Sequence, residues 1–329
     1  MPEGHSIHRI AKQFEAHFVG DVVRASSPQG RFAEGAAVLD GRRLLAAKAV
    51  GKQMFLEFDG GVWLRVHLGL YGAWDFAGDV STLNRMGQNG MRGDVPVDDR
   101  VDDAPVDADA EDSLASIGAP RRARLRMAEQ EKVHDPFSAE TWPPEPVGQV
   151  RVRLLTERAV ADLRGPTACV VASPEEVQQA IDKLGPDPLV DGGNRSEDRF
   201  TATVRRKPTA IGLLLMDQSV VSGIGNVYRA ELLFRARQNP HTPGRDVPED
   251  VVRGLWKDWS RLLRKGVEVG QMMTMDGLRG RKLEAALRNR ADRHWVYHRE
   301  GLPCRVCGTH IVMEEAAGRK LYWCPYCQA

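Results

Sequence analysis

The chain has 329 residues, enough for two or three domains with real cores, and its 46 basic and 45 acidic residues leave a formal net charge of only +1. No apolar run approaches a membrane span, which excludes a membrane-spanning helix, and no secretory leader opens the chain; a soluble, cytoplasmic protein is expected. The small net charge hides a segregation: residues 94–112 hold nine acids and one base, so that strip carries −8 and the remaining chain +9, a balance compatible with a polyanionic partner.

Removal of Met1 makes Pro2 the amino terminus and exposes a secondary amine. An α-amine titrates at about 7.7–8.0, so a neutral fraction exists near pH 7, where a lysine at about 10.4 has almost none. Attack of such an amine on an electrophilic carbon gives an iminium, and Glu3 is an acid beside it. Taken alone, Met-Pro-Glu is more often an ordinary solvated start, so the downstream pattern decides.

Ile7, Ile10, Ala11, Phe14 and Phe18 recur at helical spacing, which predicts an amphipathic helix over residues 5–18, stopped by Gly20-Asp21 before a strand at Val22-Val23. Packed on a core, that helix fixes a terminus that would otherwise fray. From Val38 to Trp74 the pattern is of short β-like runs with turns at Asp40-Gly41 and Asp59-Gly60-Gly61. Val62, Leu64, Val66 and Leu68 alternate with Trp63, Arg65 and His67, as in a half-buried strand. Lys52, after Gly51, lies at a strand mouth; it is either a solvated lysine, the commoner fate, or a group that reaches out of the sheet. Leu70 and Tyr71 stand on a turn bracketed by Gly69 and Gly72. Exposed, such residues can wedge into a base stack; more often they pack beneath the loop.

Residues 84 to about 120, poor in aromatics and rich in Asp, Ala, Gly and Pro, read as a disordered acidic insert. Order returns where Ala123, Leu125 and Met127 alternate with Arg122, Arg124 and Arg126, then at Val150, Val152 and Leu154, and residues 168–171 close the β-rich half. Ser173-Pro174-Glu175-Glu176 starts a helix with Ser at the N-cap, Pro at N1 and Glu at N3. The chain is then mostly helical to about residue 292, with a buried helix at 213–216 and another starting at Asn226 after a turn at Gly223 and Gly225. A glycine turn feeding a helix offers free backbone N–H groups to a phosphate, with the Asn226 amide as a further donor, although many corners use glycine simply to turn. The run Arg279, Arg281, Lys282, Arg288, Arg290 and Arg293 is a solvated face or part of a nucleic-acid surface.

Cys304-x-x-Cys307 and Cys324-x-x-Cys327, separated by 16 residues, have four-thiolate zinc spacing and suit a reducing compartment. One structural Zn2+ is expected, with no coordination position open for chemistry. Residues 311–313 and 321–323 read as a hairpin that presents Arg319 near its tip, and Cys169 stands apart as a small buried residue.

Pro-Glu-Gly at 2–4, Gly51-Lys52, Gly69-Leu70-Tyr71-Gly72, Leu184-Gly185-Pro186-Asp187-Pro188-Leu189, residues 217–229, and the ending from Gly318-Arg319 to Cys324-Pro325-x-Cys327-Gln328 together resemble the formamidopyrimidine-DNA glycosylase/endonuclease VIII family. Only the acidic insert falls outside the resemblance. It implies an α+β multidomain protein: a β-sandwich lobe with flanking helices over 1–172, a helix–two-turn–helix domain over 173–295 and a zinc-finger β-hairpin over 296–329. It implies a bifunctional DNA glycosylase and AP lyase of base excision repair. Its partner would be double-stranded DNA containing damaged bases or abasic sites, bound by a monomer with the base flipped out.

Carried over residue by residue, Pro2 would attack the sugar C1′ and form the Schiff base. Glu3 would assist ring opening and base loss, and Lys52 would contact the phosphate by the lesion and donate a proton for β-elimination. Asn226 and Arg319 would grip phosphates, Arg319 also assisting δ-elimination. Leu70 and Tyr71 would fill the hole in the stack, since Gly69 has no side chain to insert. The Leu-Tyr turn and the Pro-Glu-Gly start look closer to the endonuclease VIII branch, which takes oxidised pyrimidines; the other branch takes 8-oxoguanine and ring-opened purines. A damage-binding paralogue without turnover is the alternative of a different class, and intact Pro2, Glu3 and Lys52 argue against it.

Overall fold

Helix α1 (Gly4–His17) forms because Ile7, Ile10 and Phe14 give one face that is wholly buried. The computed structural model describes residues 2–80, 116–119 and 142–329; the strip at 94–112 and the alternation at 123–127 lie outside the described residues. Phe14 meets Trp74 edge to face with ring centroids 4.9 Å apart, and Phe18 and Phe76 complete that aromatic cluster.

Among the described residues nine strands follow: β1 (Val22–Ser26), β2 (Arg42–Val50), β3 (Gln53–Phe58), β4 (Val62–His67), β5 (Ala73–Gly78), β6 (Ser116–Gly118), β7 (Val150–Leu155), β8 (Ala159–Arg164) and β9 (Ala168–Ala172). They are hydrogen-bonded in the order β6-β5-β8-β7-β1-β2-β3-β4-β9. Strand β1 pairs with β2 through Val22 and Val23, then with β7 through Arg24, Ala25 and Ser26. By changing partner midway it joins the two halves of the β-sandwich.

Two expectations for the β-rich half fail. Ser116–Gly118, inside the expected disordered insert, pair in register with β5, because Ile117 is fully buried opposite Trp74. Val38 and Leu39 end a short helix α2 (Ala33–Leu39) rather than opening a strand. Only Ala36 and Leu39 of that helix are buried, too few for a helical period to stand out.

Helix α3 (Pro174–Asp182) has the expected capping box: the Glu176 N–H donates to Ser173 Oγ at 3.3 Å and the Ser173 N–H to the Glu176 carboxylate at 2.8 Å. Helices α4 (Asn194–Arg205), α5 (Ile211–Leu214), α6 (Asn226–Arg235), α7 (Glu249–Val269) and α8 (Arg281–Arg288) follow, then the hairpin β10 (Val312–Ala316) and β11 (Arg319–Trp323). One hydrophobic core runs from Leu215, Leu233 and Trp259 through Tyr297 to Ile311, Tyr322 and Cys324, so helices and hairpin share it. The hairpin turns on Ala317 (φ 50°) and Gly318 (φ 72°), the paired positive φ values of a two-residue turn that follows strand twist. Arg293, expected with the basic face, is buried; its guanidinium donates to the carbonyls of Ala286 and Leu287 at the end of α8.

By its contacts the chain divides into two units. One holds Pro2, His8–Ala49 and Gln53–Val177; the other holds Glu3–Ile7, Val50–Lys52 and Gln178–Ala329. Glu3 and Lys52 therefore cluster with the helices and not with the sheet that encodes their neighbours. Among the described residues no helix is long and apolar enough to cross a membrane.

Candidate active site

A helix N-terminus leaves backbone N–H groups without intrahelical partners, and Gly225 at the N-cap of α6 has no side chain to meet them. Glu3, 222 residues before Gly225, supplies the cap instead. Its buried carboxylate accepts the N–H of Gly225 at 2.8 Å and of Val227 at 2.9 Å, with that of Tyr228 at 3.4 Å. The N–H groups of Gly225, Val227 and Tyr228, expected to be free for a phosphate, are thus taken up within the protein. The Asn226 side chain is engaged as well: Nδ2 donates to the Lys320 carbonyl at 2.7 Å, and Oδ1 accepts from Arg229 Nη2.

Glycine lets the segments approach this closely. The Gly4 N–H donates to the Gly223 carbonyl at 2.9 Å. Gly51 (φ +59°) and Gly223 (φ +91°) lie in the left-handed region, and a Cβ on Gly51 would stand 2.7 Å from Ser222 Cβ. Three chain segments meet backbone to backbone, a contact that side chains at these positions would prevent.

Lys52 sits in the turn between β2 and β3. The turn is clamped by Asp187, whose fully buried carboxylate accepts the Gly51 N–H at 2.7 Å and the Leu189 N–H at 2.9 Å. Asp187 belongs to the Leu-Gly-Pro-Asp-Pro-Leu motif, which sequence reasoning quoted without a role for the acid. The same motif holds the glycine turn, as Ser222 Oγ donates to the Gly185 carbonyl at 2.7 Å. Asp187→Ala is expected to strand two buried N–H groups, at about 1–3 kcal/mol each. The freed turn should let Lys52 return toward an ordinary lysine. Urea unfolding reads the first effect and an NMR titration of Lys52 the second.

Burial pushes the Glu3 carboxyl above its usual range, while Lys52 and the Val227 and Gly225 N–H groups hold it down. Burial likewise lowers Lys52 to about 8; Glu3 opposes this, and the Arg319 and Arg229 cations add to it. An acid pushed up and an amine pushed down, each in the other's field, are suited to moving protons near neutrality.

Pro2 directly precedes Glu3 and is buried. Arg319 is exposed at the start of β11, opposite Ala316. In the other unit, Leu70 and Tyr71 are 41% and 43% exposed on the turn between β4 and β5, so they do not pack beneath it. The group that sequence reasoning did not single out is Arg229, one helical turn beyond Asn226 and almost wholly buried.

The Sγ atoms of Cys304, Cys307, Cys324 and Cys327 lie within 4.8 Å of one another, with Cys304–Cys327 at 3.9 Å and Cys307–Cys324 at 3.5 Å. Zn–S bonds of about 2.3 Å give a tetrahedron with edges of about 3.8 Å, so the four thiols fit one structural zinc. The N–H groups of Val306 and Cys327 approach the sulfurs of Cys304 and Cys324 at 3.5 Å, as knuckle turns do.

Residues 1–166 match the family profile described as Formamidopyrimidine-DNA glycosylase N-terminal domain. Residues 184–276 match the Formamidopyrimidine-DNA glycosylase H2TH domain, and 301–329 the zinc finger found in FPG and IleRS. The Endonuclease 8 1 proteins of Mycobacterium bovis and Mycobacterium tuberculosis are each 37% identical over 328 residues, covering 100% of both chains. Among solved structures, the MutM (Fpg) protein of Thermus thermophilus superposes with a TM-score of 0.62 at 23% identity, over 99% of this chain and 98% of that one. The Lactococcus lactis Fpg in complex with DNA containing an abasic site gives 0.66 at 18% identity over 99% of each. At those identities the likeness speaks to the fold alone.

Proposed function

The chain belongs to the formamidopyrimidine-DNA glycosylase/endonuclease VIII family and is a DNA glycosylase of base excision repair, and we propose that it also cleaves the abasic strand it creates. With Met1 removed, the neutral Pro2 amine attacks C1′ of the flipped nucleotide, the N-glycosidic bond breaks, and the base leaves carrying the proton that the amine nitrogen gives up. Glu3 protonates the sugar ring oxygen as the ring opens to the iminium. The burial that raises Glu3 favours its holding that proton, and Lys52 with the Val227 and Gly225 N–H groups stabilises the carboxylate left behind.

Loss of a C2′ proton then breaks the bond from C3′ to its phosphate oxygen. Lys52, lowered to about 8, contacts the phosphate beside the lesion and donates the proton for this elimination. A second elimination, assisted by Arg319, releases the C5′ oxygen and leaves a 3′-phosphate. Asn226 and Arg319 hold phosphates around the flipped nucleotide, and Leu70 and Tyr71, exposed on their turn, fill the gap in the stack. The zinc folds the hairpin that carries Arg319. The full-length likeness to Endonuclease 8 1 supports oxidised pyrimidines as the favoured lesions. The protein would act in the cytoplasm as a monomer on one duplex.

The observation that carries this reading is the Glu3 carboxylate, one residue after Pro2, held on the N-terminus of α6 in the field of Lys52. Borohydride treatment on a duplex with a single abasic site is expected to trap a covalent adduct mapping to Pro2. A chain that retains Met1, its Pro2 nitrogen locked in a peptide bond, should lose the adduct at Pro2, and untreated wild type should leave a 3′-phosphate end. A correctly processed protein that binds the duplex but neither traps nor nicks overturns the reading in favour of a binding-only paralogue.

A further inference from the structure

We propose that Arg229 is a positioning residue of this site: a buried cation that fixes Asn226 and the Arg319 strand and sets the charge balance between Glu3 and Lys52. The inference rests on the lyase reading above. Arg229 is 1% exposed. Its Nη2 donates to Asn226 Oδ1 and, at 2.9 Å, to the carbonyl of Lys320, the residue after Arg319. Both partners therefore lie at the phosphate-gripping end of the site. Asn226 and Arg229 are three apart on α6, so they share one face of a helix whose N-terminus already holds Glu3.

The fold itself gives a weak reason for an arginine here. Nε and Nη1 of Arg229 are buried and meet no protein acceptor among the described residues. A buried guanidinium with donors unmet destabilises a fold, and an apolar side chain of similar volume often replaces such a charge at no loss. The adjacent helix residues Val227, Tyr228, Ala230 and Leu232 are core residues that an apolar neighbour would suit.

What an apolar side chain lacks is the charge. Arg229 faces Glu3 from the terminus, Lys52 from the β2–β3 turn, Arg319 from β11, Glu314 from β10 and Tyr297 from the segment before the hairpin. Burial lowers Arg229 to about 10, with Glu3 opposing, so it stays charged near neutral pH. Among the groups acting on Lys52, Arg229 and Arg319 favour loss of its proton and Glu3 opposes it. Removing the Arg229 charge makes that proton harder to lose, so a rate that needs protonated Lys52 must persist to higher pH.

The test compares wild type, Arg229→Met and Arg229→Lys as zinc-loaded full chains with Met1 removed. It measures single-turnover cleavage of an abasic-site duplex across about pH 6 to 9.5, together with thermal melting. Arg229→Met is expected to melt at or above the wild-type temperature yet cleave about tenfold more slowly or worse, because Asn226 and β11 lose their common anchor. Its falling alkaline limb should move up by about half a pH unit, while Arg229→Lys, charged over only the lower part of that range, should move it less. Arg229→Met with wild-type rate and limb overturns the proposal. So does an Arg229→Met chain that melts far lower or fails to fold, since the arginine would then serve the fold. Wild type that does not cleave defeats the lyase reading instead, so the two failures are distinct.

Discussion

Gly225→Ala is expected to slow release of the damaged base by about 100-fold or more while the protein keeps its zinc and its fold. A Cβ at this position would stand 2.4 Å from Glu3 Cδ and 2.6 Å from Glu3 Oε1. The backbone raises no objection, because Gly225 has φ −121°, which any residue adopts. The whole conflict falls on the carboxylate, which must leave the N–H groups of Gly225 and Val227. Misplacing a reacting group by about 1 Å costs about 100-fold. Single-turnover base release from a duplex with one oxidised pyrimidine measures the effect, with melting temperature as the control. Wild-type release would mean that Glu3 does not work from the helix N-terminus.

Loss of zinc should be as damaging by a different route. A two-stranded hairpin is marginal on its own, whereas a structural zinc contributes about 10–16 kcal/mol in small zinc domains. In this chain Cys324 and Tyr322 bind the hairpin into the helical core. Chelation or Cys324→Ser is expected to release β11, withdrawing Arg319 and the Lys320 carbonyl that Asn226 and Arg229 share. Strand cleavage should fall by about 100-fold or more while the sheet stays folded. Zinc stoichiometry, circular dichroism and a nicking assay on one sample check this; a metal-free protein that nicks at the wild-type rate would contradict it.

Features written in local spacing were legible in the sequence. The apolar face of α1, the Ser173 capping box and the paired C-x-x-C motifs each lie within a few turns of chain, and each appears in the structure. Contacts made at long range were not legible. The Gly223–Gly225 turn looked open to a phosphate because nothing near it in sequence can cap the helix, and the cap arrives from Glu3. Asp187 and Arg229 were given no role, and Arg293 was placed on a basic face, for a related reason. Charged side chains are mostly exposed, so residue type points outward, and only their buried carbonyl or N–H partners explain their burial. Strand β6 has three residues, too few for an alternation to be read, and its register comes from β5.

The meeting of Gly4, Gly51 and Gly223 ties reactivity to the order in which the chain is made. A ribosome releases Pro2 and Glu3 long before residues 187, 225, 227 and 319. A terminal amine that captures sugar aldehydes would be a hazard on a half-made protein. Here the donors that hold Glu3 arrive only with residues 225 and 227, and the clamp on the Lys52 turn only with Asp187. On the proposed mechanism, a nascent or prematurely ended chain would carry Pro2, Glu3 and Lys52 without the groups that hold the acid and the lysine turn in place. If Pro2 is the nucleophile, truncation would disarm the chain and not set it loose on DNA.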